Sequence, residues 1–179
     1  MTAEECIKGR RSIRKFTAEP VSHELLARIV ETASFAPSWK NTQITRYIAV
    51  EGTKKDALAK CTSIFPGNGV IIENAPMVIA VTAITGRSGY ERDGSFSTPK
   101  GTGWQMYDAG VASEAFCLAA HEQGLGTVIL GLFDEEEASR LLELPEGREL
   151  VALIPIGHPA EAPVAPKRKT VEDLLSYQS

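Results

Sequence analysis

The amino-acid sequence predicts an α/β fold, with helices and strands packed in a mixed layer architecture. Two observations support this class. Stretches with helical periodicity alternate with short runs of β-branched residues, and these runs lack the regular spacing of repeated βαβ units. At 179 residues, with 43% hydrophobic side chains, the chain is long enough to bury a sizeable core. We therefore expect residues 1–179 to form a single domain.

Capping signals and apolar periodicity place the elements of the first fifty residues. Thr2, followed three residues later by Glu5, predicts a capping box at the start of a short first helix. Ser22 predicts the N-cap of a second helix, which has one apolar face and ends by Pro37. The stretch from Arg46 to Val50 is rich in residues that favour β-structure and predicts the first strand.

The middle of the chain is predicted to contain a buried strand and the longest helix. Thr53 marks the start of a short helix, and the continuous apolar run Met77–Ala83 predicts a buried strand. Residues 86–103 are rich in glycine, serine and charge, and loops of this length often act as functional lids. The alanine-rich stretch Met106–Gln123 predicts a helix that is buried on most sides and is stopped by Gly124.

The last third of the chain is predicted to contain two strands, a helix and an extended segment. Thr127–Leu130 and Leu150–Ile156 predict the strands, and Asp134 predicts the N-cap of the helix between them. Residues 159–179 begin with a proline-rich stretch, so we expect them to run extended over a surface. Thr170 is expected to cap one terminal turn of helix.

Charge, cysteine content and hydropathy exclude several classes of function. A formal net charge of -4 argues against an extended nucleic-acid surface, which needs a broad basic face. The three cysteines, Cys6, Cys61 and Cys117, are odd in number and far apart, so neither a disulfide framework nor a structural zinc site is expected. The apolar run Ala75–Ile84 is shorter than the roughly 20 residues of a membrane span, and the charged N-terminus is unlike a signal peptide. We therefore expect a cytoplasmic protein that binds neither membranes nor nucleic acid.

Motifs of four common kinds of site are missing from the sequence. The chain contains neither GxGxxG nor GxxxxGKS/T, so a Rossmann dinucleotide turn and a P-loop are not indicated. It also lacks the GxSxG of α/β-hydrolases and the HExxH of zinc proteases. No catalytic triad and no metal cluster is therefore expected.

Basic residues are concentrated near both ends of the chain, at residues 10–15 and 167–169. Several guanidinium and ammonium groups suit a phosphate, because arginine can pair two oxygens at once. If residues 10–14 are extended, Arg10, Ser12 and Arg14 point to one side. The alternative is that the first cluster is a solvated loop and the second a solvated tail.

A polar turn lies between the second helix and the first strand, with the sequence Ala-Pro-Ser-Trp-Lys-Asn-Thr-Gln at residues 36–43. Its serine, asparagine and glutamine supply donors and acceptors beside an aromatic ring, as a heteroaromatic ligand needs. The alternative is an ordinary turn, since proline, serine and asparagine are common turn residues.

Taken together, these motifs resemble the nitroreductase family of FMN-dependent NAD(P)H oxidoreductases. The resemblance runs nearly from end to end, and the order and spacing of its pieces make a chance match improbable. The matching pieces are Arg10–Phe16, Ala36–Gln43, Asn74–Pro76, Asp108–Gly110, Gly124–Thr127, Gly131–Phe133 and Arg168–Lys169.

The resemblance implies a three-layer homodimer, with a mixed central sheet flanked by helices and FMN at the subunit interface. Its FMN phosphate and part of its ring would contact Arg10, Arg11, Ser12 and Arg14. Lys167, Arg168 and Lys169 would complete the phosphate site. The same flavin would be approached from the partner subunit by Pro37, Ser38, Trp39 and Asn41. The isoalloxazine would lie against Ile129, Leu130 and Gly131, and the ribityl chain beside Asn68.

The resemblance also implies a reaction. Hydride passes from NAD(P)H through the flavin to an electron-poor small molecule, of the nitroaromatic or quinone type, by a ping-pong mechanism. The flavin carries this chemistry, so no catalytic side chain is expected. Two alternatives remain at this point. One is an FMN- or anion-binding module without turnover. The other is a flavoenzyme with a dedicated substrate, for dehalogenation or heterocycle oxidation, in which the 86–103 loop selects the substrate.

Overall fold

The computed structural model describes residues 1–62 and 65–178. Within them the strands are β1 (Thr45–Val50), β2 (Met77–Ile84), β3 (Gly126–Thr127) and β4 (Arg148–Gly157). The helices are α1 (Ala3–Gly9), α2 (His23–Ala33), α3 (Gly52–Lys60), α4 (Pro66–Asn74), α5 (Gly103–Glu122), α6 (Glu135–Leu141) and α7 (Val171–Leu174). A short 3-10 turn, Trp39–Asn41, lies between α2 and β1.

The four strands form one antiparallel sheet in the order β1-β2-β4-β3. Successive side chains of β2 contribute to two different cores: Met77, Ile79 and Val81 to one, and Val78 and Ala80 to the other. Both faces of the central strands are therefore buried, which explains why β2 reads as a continuous apolar run.

Helices cover both faces of the sheet. On one face, α2 and α5 contribute Ile29 and Phe116 to the core. On the other, α3, α4 and α6 contribute Leu58, Ile72 and Ala138. The predicted α/β class and its three layers are thus confirmed, with an antiparallel sheet as the middle layer.

The predicted N-caps are found at four helices. Thr2 and Thr170 form complete capping boxes at the starts of α1 and α7. Ser22 Oγ accepts a hydrogen bond from Leu25 N–H over 3.1 Å, and Asp134 caps α6 in the same way. None of the helices in the described part of the chain has the length and apolar character needed to cross a membrane.

Two elements in the middle of the chain differ from the sequence prediction. Helix α3 begins at Gly52, so Thr53 lies inside the helix and is not its cap. Helix α4 was not predicted, because its glycines weaken the helical pattern. Gly69 allows close packing against α3, since a Cβ there would lie 3.0 Å from Ala59 O. Pro66 supplies a favourable first residue for this helix.

The strands near the end of the chain also differ in length from their predictions. Strand β3 is Gly126–Thr127, so it contains only Thr127 of the predicted stretch Thr127–Leu130, and Leu130 forms an isolated bridge with Leu153. Strand β4 continues through Pro155 to Gly157. Leu153 N–H donates to Leu130 O, on the edge of β4 that also pairs with β3. The nitrogen of Pro155, two residues later, faces the same edge. Strand β3 ends before a residue opposite Pro155, so the missing N–H of proline leaves no carbonyl of β3 without a partner.

The two ends of the chain run side by side. Phe16 forms a bridge with Pro159, and Ala160 N–H donates to Lys15 O over 2.9 Å. The rest of the C-terminal segment, residues 161–178, is mostly exposed and irregular apart from α7, while residue 179 lies outside the described residues. The predicted extended segment therefore begins beside the basic residues of the N-terminus.

Candidate functional site

The basic segment, residues 10–15, runs from the end of α1 to the edge of the sheet. Ile13 N–H donates to Thr127 O over 3.0 Å, and Ser12 forms a parallel bridge with Thr127. Ile13 is buried against Gly126, where an added Cβ would lie 2.6 Å from Ile13 Cγ1. Successive side chains of an extended segment alternate in direction, so the burial of Ile13 turns both of its neighbours away from the core.

The three arginines of the basic segment do not line a single cavity. Arg10 and Arg11 line one of about 550 Å³, hereafter the Arg10 cavity. Arg14 lines another of about 520 Å³, the Arg14 cavity. The expectation that Arg10 and Arg14 point to one side is therefore not met. The reason is that the chain leaves the helix only at Arg10, whose N–H still bonds to Cys6 O over 3.0 Å.

The Arg10 cavity is lined by two guanidinium groups, and a carboxylate lies beside one of them. Arg10 Nε is buried without a hydrogen bond to the described residues, and the nearest carboxylate oxygen, on Glu114, is 3.6 Å away. Arg11 Nη1 donates to two backbone carbonyls, those of Lys8 and Arg10. Burial lowers the pKa of His121, and the charges of Arg10 and Arg11 lower it further, as expected in positive surroundings. Two carboxylates, Glu122 and Glu161, also line the cavity.

The Arg14 cavity places a cation opposite exposed backbone. Leu130 exchanges both of its backbone hydrogen bonds with Leu153, at 2.8 and 3.0 Å, so it offers a ligand no backbone group. Ile129 and Gly131 on either side are exposed, and neither N–H has a backbone acceptor among the described residues. Of the three residues predicted to lie against a flavin, these two can therefore donate a backbone hydrogen bond, and Leu130 cannot.

Asn68 lines the Arg14 cavity but is engaged with the protein. Its side chain is 7% exposed, and Nδ2 donates to Leu132 O over 3.1 Å. This bond ties α4 to the segment that contains Gly131. The predicted ribityl contact is not tested by this arrangement, and anchoring of the 128–132 segment is a role that the sequence did not suggest.

The C-terminal basic residues, Lys167, Arg168 and Lys169, are exposed and form no ion pair with the described residues. Their segment nevertheless starts at the site, because Ala162 and Pro163 line the Arg10 cavity. Lys167 follows Pro163 by four residues, a distance of at most about 14 Å when extended. None of the three residues lines the Arg10 cavity in the single chain.

The polar turn between α2 and β1 lies elsewhere in the chain. Pro37 and Ser38 line a cleft of about 400 Å³ that shares no lining residue with the Arg10 or Arg14 cavity. Ser38 Oγ accepts from Gln43 N–H over 3.0 Å, and Asn41 is exposed. Within one chain, the turn residues Pro37 and Ser38 therefore line no cavity together with Arg10, Arg11 or Arg14.

A buried carboxylate beneath this turn was missed as a site residue by the sequence reasoning. Asp108, on α5, accepts hydrogen bonds from Trp39 N–H and from Ser88 Oγ, the latter over 2.7 Å. The available signal was its place in the matched motif Asp108–Gly110, because α5 also carries Glu114 and Glu122 and composition alone does not single out one acid. A carboxylate is rarely buried unless donors satisfy it.

Comparisons with known proteins agree with the motifs. The profile of the Nitroreductase family matches residues 7–66 and 63–158. The chain is 32% identical over 181 residues to the FMN reductase (NAD(P)H) of Bacillus subtilis, covering 96% of this chain and 71% of that protein.

Solved structures show the same fold. A nitroreductase family protein from Clostridium novyi NT is 30% identical, with a TM-score of 0.76 over 90% of this chain and 87% of the other. A protein from Desulfovibrio desulfuricans, solved in complex with FMN, is 30% identical, with a TM-score of 0.78 over 98% of this chain and 96% of the other.

Proposed function

The chain belongs to the nitroreductase family, and on that premise we propose that it is a single FMN-binding domain that works as an NAD(P)H oxidoreductase on an electron-poor acceptor. The observation that carries this proposal is a pair of cavities lined by successive residues of the basic segment. One is lined by Arg10 and Arg11, the other by Arg14 and the backbone around Gly131. A flavin mononucleotide has the same two parts, an anionic phosphate and a planar ring.

The residues of the Arg10 cavity fit a phosphate. The guanidinium groups of Arg10 and Arg11 line it and supply donors, and Ser12 lies on the same segment. Arg168, with Lys167 and Lys169, is within reach from the C-terminal segment. A phosphate ester carries up to two negative charges, so several cations stabilise it better than one.

The residues of the Arg14 cavity fit the ring. Gly131 N–H would donate to the ring edge, while Asn68 holds the backbone of that segment in place. Arg14 would stabilise negative charge that develops on the ring during reduction. The chemistry that FMN supplies when bound is transfer of hydride from NAD(P)H to a nitroaromatic or quinone acceptor in two successive half-reactions.

Apolar side chains surround the mouth of the same cavity. Phe65, Ile129 and Leu132 are 52%, 47% and 55% exposed and line it together. They would exclude water from the ring and provide a surface for the flat faces of nicotinamide or an aromatic acceptor. No acidic or basic side chain other than Arg14 lines this cavity within the described residues, so protons for the acceptor would come from solvent.

We propose a homodimer in which the polar turn of each subunit completes the site of the other. Three apolar side chains of the C-terminal segment, Val171, Leu174 and Tyr177, are 65%, 71% and 88% exposed in the single chain. On α5, Met106 and Tyr107 are 41% and 64% exposed, although this helix is predicted to be buried on most sides. Exposed apolar surface on two separate elements supports a large subunit interface.

Sedimentation equilibrium should therefore give twice the mass of the chain. Replacing Leu174 and Tyr177 together by serine should shift the mass towards that of one chain and release flavin, because apolar area leaves the interface. Val70→Ser is the matched control, since Val70 is 64% exposed on α4 and is assigned to no interface. A monomeric wild-type chain that retains its flavin would contradict the shared site.

Absorbance spectroscopy tests the function directly. The purified chain, loaded with FMN, should show flavin bands that bleach on anaerobic addition of NADH or NADPH and return on addition of a quinone or a nitroaromatic. Bands that persist in the presence of both nucleotides would support the alternative of a binding module without turnover. Bleaching that neither acceptor reverses would support a dedicated substrate, and failure to bind FMN would overturn the proposal.

The predicted cytoplasmic location belongs to this proposal, because NAD(P)H is supplied there. Small-molecule acceptors and a second copy of the chain are the partners that the site requires.

A further inference from the structure

The polar turn between α2 and β1 has a strained backbone. Lys40, Asn41 and Gln43 have φ angles of 46°, 55° and 47°, in the left-handed region that residues other than glycine rarely adopt. Each such residue raises the free energy of the turn, although asparagine tolerates the region better than most. A conformation of this kind persists only where surrounding contacts hold it.

On the side of the turn that faces the cleft, side-chain packing does not hold it in place. The cleft of about 400 Å³ lies directly against Pro37, Ser38 and Gln43, so side chains do not fill the space on that side. Hydrogen bonds within the turn link Ser38 to Gln43 and Asn41. These local bonds close the turn, and Arg46 Nη1, on β1, donates to Gln43 O over 2.7 Å and holds the end of the turn. None of these bonds ties the start of the turn, at Trp39, to another element.

Asp108 supplies the anchor. Its side chain is 3% exposed, and its two carboxylate oxygens lie 3.1 and 3.0 Å from Trp39 N, at the start of the turn. The same carboxylate accepts from Ser88 Oγ of the 86–103 loop over 2.7 Å. A buried carboxylate costs free energy unless donors satisfy it, and here the donors come from two different segments.

The turn and the loop meet at a second point. Lys40 Nζ lies 3.1 Å from Glu91 Oε1 of the loop. The ring of Trp39 separately packs against Trp104 of α5, with centroids 4.6 Å apart. The loop predicted to act as a lid is therefore fastened to the turn at both the Asp108 carboxylate and the Lys40 ammonium group.

We propose that Asp108 is a positioning residue for the cofactor: it holds the strained turn in the form that meets the flavin ring of the partner subunit. This inference rests on the proposed function and extends it to a residue that does not touch the flavin. The turn would contact the ring and not the phosphate. Loss of Asp108 should therefore weaken binding of the ring alone as much as binding of the whole cofactor.

The test compares FMN with riboflavin, which has the same ring without the phosphate. Asp108→Leu leaves Trp39 N–H unpaired and should weaken binding of both flavins by the same factor, about tenfold or more. Asp108→Asn should restore most of the affinity, because the amide oxygen can accept from Trp39 and the amide nitrogen can donate to Ser88 Oγ. The visible circular dichroism of bound flavin should change in the leucine variant and return in the asparagine variant.

Ser88→Ala combined with Lys40→Gln provides a second test that leaves Asp108 and its bond to Trp39 intact. Loss of the loop's two attachments should weaken both flavins by about threefold. If far-UV circular dichroism shows that the leucine variant does not fold, this double variant and Asp108→Asn still test whether Asp108 positions the turn.

Three results would overturn the inference while leaving the proposed function in place. They are wild-type affinity for both flavins in Asp108→Leu, a loss confined to FMN, and an asparagine variant as weak as the leucine variant. A wild-type chain that binds neither flavin would instead overturn the proposed function.

Discussion

Replacing Arg10 and Arg168 together by alanine is expected to weaken FMN binding by at least about a hundredfold. A hydrogen bond to a charged group contributes roughly 1.5–3 kcal/mol, and about 1.4 kcal/mol corresponds to a tenfold change in affinity. Arg10 lines the Arg10 cavity, and its closest approach to Glu114 is made by Nε, at 3.6 Å, so its terminal guanidinium nitrogens are left for a phosphate there. Arg168 would add the second contact from the C-terminal segment.

Salt and riboflavin separate this effect from a general loss of structure. Wild-type affinity for FMN should fall as ionic strength rises, because salt screens attraction between phosphate and guanidinium groups. The double variant should lose most of that dependence, and its affinity for riboflavin should equal that of the wild type. Fluorescence titration at low and high salt measures both quantities.

Arg140→Ala is the matched control for the phosphate site. Arg140 is 70% exposed on α6 and lies 3.8 Å from Glu136, far along the chain from the basic segment. Its loss should leave FMN affinity and the salt dependence unchanged. Equal FMN affinity in all three proteins would show that residues from the two ends of the chain do not share a phosphate.

Phe116→Ala is expected to lower the free energy of unfolding by about 3–5 kcal/mol, the range measured for truncating buried aromatic side chains. Phe116 is fully buried at 0% exposure, between α2 and the sheet. Its ring stacks on Tyr47 with centroids 5.2 Å apart, and Tyr47 OH donates to Ala112 O. Burial raises the pKa of Tyr47 to about 12, as expected in the same apolar layer. Alanine would leave a cavity that the fixed sheet cannot close.

Urea unfolding at one protein and one FMN concentration measures this loss, because subunit and ligand binding both add to apparent stability. Phe35→Ala is the control: Phe35 is 86% exposed, and its truncation should change the free energy of unfolding by less than about 0.5 kcal/mol. A loss below about 1 kcal/mol for Phe116→Ala would show that the core between α2 and the sheet repacks freely.

Features set by neighbouring residues were readable from the sequence. The caps at Thr2, Ser22, Asp134 and Thr170 involve residues within one turn of helix, so the interacting groups are adjacent in the printed chain. The same reasoning missed α4, where glycine lowers helix propensity and packing against α3 compensates. It also overextended β3, because pairing of Leu130 depends on Leu153 and not on local composition.

The same distinction between local and long-range determinants applies to the candidate site. Sequence by itself determined which residue types are available: guanidinium groups near both ends, a polar turn, and a glycine beside an apolar run. Their family resemblance was also readable, since motif order survives in a linear string. Tertiary structure alone decided that Arg10 and Arg14 line different cavities. It also decided that both backbone groups of Leu130 bond to Leu153, and that the Asp108 carboxylate accepts from Trp39 N–H at the start of a strained turn. The physical reason is that burial and hydrogen-bond partners are set by long-range packing, which brings together groups that the sequence separates by dozens of residues.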